Sequence, residues 1–178
     1  ARAPGGGRGT GGGGAPRRDK RTLDLVDAFV AADRDDLQLL VLSLADGEAP
    51  PPHPRVVARP YEFVDRATYN RRLAAADVLA FPFDPAGDML TTGVVADVIG
   101  WGIPALVSSW AYLAESLGPV GIPMGDTVDE MAAALGALTP AAVATAAGAI
   151  DDLAAATSWP AVAAQTLALF DAVGTTHR

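Results

Sequence analysis

The stretch Val78-Leu-Ala-Phe-Pro-Phe-Asp-Pro-Ala-Gly-Asp-Met-Leu-Thr-Thr-Gly93 reads as a strand, a loop and the start of a helix. Val78 to Phe83 is a continuously apolar run of strand length, as expected of a strand covered on both faces. Pro85 to Asp88 supplies the loop. Thr91 to Trp101 continues as a helix, and Gly102 stands where a left-handed residue stops one. Ala105 to Ser108 is the next apolar run. A strand, a crossover helix and a second strand in this order form a parallel unit.

The same alternation extends in both directions. Upstream lie a helix over residues 20 to 32, an apolar strand from Leu37 to Leu44, a Gly/Pro loop from Gly47 to Pro54, and a short strand from Val56 to Ala58. A helix over Arg66 to Ala76 leads into Val78. Downstream come a helix from Tyr112 to Leu117, a strand from Val120 to Pro123, and helices near 127–137, 140–155 and 159–173. The expected class is α/β, a Rossmann-like doubly wound parallel sheet with helices on both faces. Ligands of such sheets sit beyond the carboxyl ends of the strands. That singles out Arg59 to Tyr61, Asp84 to Gly93 and Ser108 to Tyr112.

Composition narrows the function classes. The chain has 178 residues, half of them apolar, which is ample for a core. Its net charge of −8 argues against a nucleic-acid partner. The absence of cysteine excludes disulfides, thiolate nucleophiles and Cys-type zinc sites. Only His53 and His177 are available for histidine chemistry. No run of eighteen apolar residues suggests a membrane span, and no leader is visible, so a cytoplasmic setting is expected.

Charge is unevenly spread. Residues 1 to 21 carry +5 and the remainder −13, and eight glycines fall within residues 5 to 14. Residues 1 to 16 read as a Gly-rich basic flexible arm and 17 to 178 as the folded lobe. Gly7-Arg-Gly-Thr-Gly-Gly12 matches a dinucleotide fingerprint only literally, because no strand precedes it. The chain does not open on Met, which fits a fragment or a processed product.

Several residues have the chemistry for an anion site. Thr91 or Thr92 is a natural N-cap, and Gly93 allows close approach to the backbone. A helix N-terminus there offers free N–H groups to a phosphate, or is simply a capped helix. Asp97, one turn deeper, could accept from ribose hydroxyls, face solvent or stabilise the helix start. Arg17, Arg18 and Lys20 oppose the dipole of the first helix unless an anion compensates them. Arg59 and Tyr61 follow a strand and could flank a base or a phosphate. Trp101, Trp110 and Trp159 read as packing residues, and His53 as an exposed loop residue.

In order along the chain, six segments resemble the donor-binding lobe of retaining, two-lobed (GT-B type) family 4 glycosyltransferases. They are Lys20 to Phe29, Leu37 to Leu44, Tyr69 to Phe83, Asp97 to Val107, Gly125 to Leu135, and Ser158-Trp159 with the final helix. The resemblance covers roughly residues 17 to 173. It implies a hexose donor lobe binding a nucleotide-diphosphate sugar. Arg18, Lys20, Thr91, Thr92 and Gly93 would bind the donor diphosphate, Asp97 the ribose, and Arg59, Pro60 and Tyr61 the base. It implies no metal and no cofactor beyond the donor substrate. It also implies an N-terminal acceptor lobe outside this chain and, as a further partner class, an acceptor at a membrane surface. Glu115 matches a glutamate in the helix after the next strand.

The chain departs from the family pattern at several places. The first glutamate of the family's Glu–seven residues–Glu motif falls on Met89, with Asp88 as a substitute, and Asp97 replaces the second. Ala15 stands where an arginine is usual, and glycines replace the opening strand. These departures, with the missing lobe, leave an alternative: a degenerate, non-catalytic Rossmann-like module for binding or interaction.

Overall fold

The computed structural model describes residues 18–45, 47–86 and 92–176. The expected arm therefore lies outside the described residues. Arg18–Lys20 forms a 3-10 turn, and α1 follows at Thr22–Ala32. Strands and helices then alternate: β1 Leu39–Leu44, β2 Val56–Pro60, α2 Arg66–Leu73, β3 Leu79–Phe81, α3 Val94–Trp101, β4 Ala105–Val107 and α4 Ala111–Leu117. After a 3-10 turn at Gly118–Val120 come β5 Gly121–Pro123, α5 Val128–Ala137, α6 Pro140–Gly148, α7 Ile150–Ala156 and α8 Trp159–Thr176.

The mixed α/β class is observed, and every strand pairing is parallel. A single doubly wound sheet is not. The strands form two small sheets, β1-β2 and β3-β4-β5, and no ladder joins β1 to β3 among the described residues. The three-stranded sheet is nonetheless covered on both faces. Leu106 of β4 packs with Phe29 of α1 and Met131 and Leu135 of α5. Its neighbours Ala105 and Val107 pack on the opposite face with Val98, Leu113, Leu117 and Ile150. This is the period-two alternation of a strand put to use on two apolar faces.

Local chemistry fixes several boundaries. Gly102 ends α3 in the left-handed region at φ 65°, as its place in the sequence suggested. Thr127 and Glu130 form a reciprocal capping box at the start of α5. At the other end of α5 the Arg34 guanidinium donates to the carbonyls of Gly136 (2.7 Å) and Leu138 (3.0 Å). A cation there satisfies orphan carbonyls and complements the helix dipole.

Some expectations require correction. The expected helix over 140–155 is broken at Ala149 into α6 and α7. The second strand runs to Pro60, so Arg59 and Pro60 belong to β2 rather than to the loop after it. Trp110 is buried, but Trp101 at the end of α3 is exposed, and Trp159 is 88% exposed because α8 leaves most of its apolar side chains uncovered. His53 is half-buried rather than exposed: its ring meets Phe29 edge-on at 6.0 Å, and its Nδ1 accepts from the Arg55 N–H. No single described helix is long and apolar enough to cross a membrane.

Candidate functional site

A cavity of about 1520 Å³ lies between the two sheets. Its lining includes Lys20, Arg66, Tyr69, Thr92, Gly93 and Asp97. Lys20 and the distant segment holding Thr92, Gly93 and Asp97, all singled out for anion or ribose chemistry, therefore line one cavity. Lys20 arrives from the turn before α1. Thr92 and Gly93 arrive from the loop after β3, and Asp97 from the first turn of α3.

The start of α3 differs from expectation in detail. Gly93 rather than a threonine occupies the N-cap, and no side chain caps the helix there. Thr92 Oγ1 accepts only a long contact, 3.5 Å, from the Val94 N–H. The Ala96 N–H turns back to Gly93 O at 3.1 Å, which tightens the first turn of α3. Thr91 and Asp88 lie outside the described residues, and so does the side chain of Arg18.

Asp97 is buried, at 6% exposure, so it is not the solvent-facing residue that a surface helix would carry. Its Oδ2 accepts from the Tyr69 hydroxyl at 2.6 Å. Burial pushes the Asp97 carboxyl above its usual range, opposed by the Tyr69 hydrogen bond and the positive charge of Arg66. Burial and the same carboxylate push the Tyr69 phenol upward, so it stays protonated and donating. The Arg66 guanidinium stands 5.5 Å from the centre of the Tyr69 ring, within cation–π range.

Tyr69 and Arg66 are the residues that sequence reasoning did not assign to the site. The available signal was a tyrosine on the inward side of α2, whose hydroxyl needs a buried partner. The expected base-binding group is not brought to this cavity. Arg59, Pro60 and Tyr61 are exposed at the end of β2, and none of them lines it. The Tyr61 N–H donates to Leu44 O at 2.9 Å, which continues the β1–β2 pairing. Glu115 lies on the exposed side of α4 and also stands apart.

Around the site, polar contacts fix the loops. Arg21, in the left-handed region at φ 49°, holds Asp24 at 2.8 Å and donates to Asp126 O. Asp126 in turn accepts from the backbone and hydroxyl of Ser109. The loops after β4 and β5 are thereby tied to the start of α1. Among the described residues no cluster of His, Asp and Glu has the makings of a metal site. Compared with known proteins, the chain matches no family model and no curated sequence.

Proposed function

We propose that this chain is a nucleotide-sugar-binding lobe of a retaining hexosyltransferase. The observation that supports it is the convergence of Lys20, the glycine-capped start of α3 and the buried Asp97 on one cavity. A cation and the positive end of a helix suit a diphosphate, and a carboxylate one turn deeper suits vicinal hydroxyls. In the reaction, such a lobe would stabilise negative charge on the departing diphosphate. Transfer itself would need an acceptor lobe facing this cavity.

A second reading is favoured by one observation. The Tyr69 hydroxyl already occupies one oxygen of Asp97, and the expected base-binding residues lie elsewhere. On that reading the lobe is a degenerate binding module without transferase activity.

Calorimetric titration with UDP, GDP and ADP, with and without magnesium, separates the two. The donor-lobe reading expects saturable binding of one nucleotide, weakened by about 1 kcal/mol or more in Lys20→Ala and Thr92→Ala. No binding by the folded chain, or unchanged affinity in both variants, removes it.

A further inference from the structure

α8 spans 18 residues, and every residue from Val162 to Val173 is exposed. Helices in proteins draw most of their stability from packing an apolar face, so α8 lacks its main support while that face stays in water. Its large apolar side chains are not scattered. At about 100° per residue, Trp159, Val162, Thr166, Leu169, Phe170 and Val173 fall within one stripe about 100° wide. Trp159, Val162, Thr166, Leu169 and Val173 follow one another at alternating steps of three and four residues. That spacing is the seam of a helix pair.

Nothing in the stripe opposes burial. The charged residue of α8, Asp171, lies on the other side of the helix. The polar member of the stripe, Thr166, turns its hydroxyl back to donate to Val162 O at 2.8 Å, so its methyl group is left for contact.

The stripe is also complementary to its own reverse. With Thr166 at the centre, an antiparallel copy sets Trp159 against Val173 and Val162 against Phe170, a large side chain meeting a small one at each level. A parallel copy instead sets Trp159 on Trp159 and Phe170 on Phe170, and leaves the valines facing each other across a gap. The antiparallel arrangement also pairs the helix dipoles favourably. With Leu167 at its flank, the stripe exposes roughly 700 Å² of apolar surface per copy, and a symmetric pair would hide about 1400 Å², within the range of specific interfaces.

We infer that α8 is a dimerisation helix, which pairs antiparallel with α8 of a second copy of this chain about a twofold axis at Thr166. Such an interface is isologous: Trp159 of each copy meets Val173 of the other. The inference is independent of the nucleotide-sugar reading.

Sedimentation equilibrium on the full chain tests it. The wild type is expected to pass from monomer to dimer with rising concentration. Thr166→Glu and Thr166→Lys each place like charges face to face on the axis and should weaken the dimer about a hundredfold or more. Thr166 is exposed, so neither substitution touches the core. An equal mixture of the two variants should dimerise again, because Glu then meets Lys, and that recovery reports that both are folded. Ala168→Glu, on the side of α8 away from the stripe, should leave the dimer intact. A wild type that stays monomeric overturns the inference. So does a dimer that survives both substitutions at Thr166, a mixture that does not recover, or equal loss of the dimer in Ala168→Glu.

Discussion

β4 and β1 are both apolar strands, and their surroundings differ. Ala105, Leu106 and Val107 are each at most 5% exposed, whereas Leu40 of β1 is 47% exposed. β4 has a strand on each edge and helices on each face, while among the described residues β1 pairs with β2 alone and lines the cavity. Apolar composition therefore did not by itself bury these strands. Neighbours on both edges and cover on both faces did. The same lesson holds for α8, whose Leu167, Leu169 and Phe170 remain exposed.

The largest expected effect breaks the better-covered half. Leu106→Ala leaves a cavity between α1, α5 and the sheet and should cost about 2–5 kcal/mol, read by urea unfolding. A loss well under 1 kcal/mol would mean that this half is loosely packed. Thr127→Ala removes the capping box of α5 and should cost about 1 kcal/mol, read as a lower Tm.

A further difference appears on varying pH. Asp97 is held above its usual carboxyl range, so the folded state binds its proton more tightly than the unfolded state. Its ionisation therefore opposes folding at neutral pH. This cost fades as the pH falls through the folded-state value toward the unfolded one. Asp97→Asn keeps an acceptor for Tyr69 and should raise Tm at pH 7, with the gain shrinking on acidification. A Tm difference that does not change with pH would show that burial does not govern this group.

The smallest effect belongs to β1. Leu40→Ala should change stability by no more than about 0.5 kcal/mol while Leu40 stays exposed. A cost approaching that of Leu106→Ala would place Leu40 under cover in solution.

Parts of the site were legible because they depend on local chemistry. Gly102 stops α3 through its left-handed backbone, wherever the helix lies in the fold. Lys20, Thr92 and Asp97 carry recognisable functional groups, and with Gly93 they line one cavity. The partnership of Tyr69 with Asp97 spans 28 residues and joins two helices, so no local spacing encodes it. Arg59 to Tyr61 fit the general rule for strand ends, but β2 belongs to the smaller sheet and its end lies away from the cavity.

The sequence by itself determined the alternation of apolar strands and helices, the parallel sense of their pairing and most helix limits. These follow from hydrophobic periodicity, glycine backbone freedom and connection length. The tertiary structure decided which apolar segments are covered, how the strands pair among the described residues, and that Asp97 is a buried, hydrogen-bonded carboxylate. Those outcomes depend on which distant segments meet, and on whether each edge, face and polar group finds a partner there.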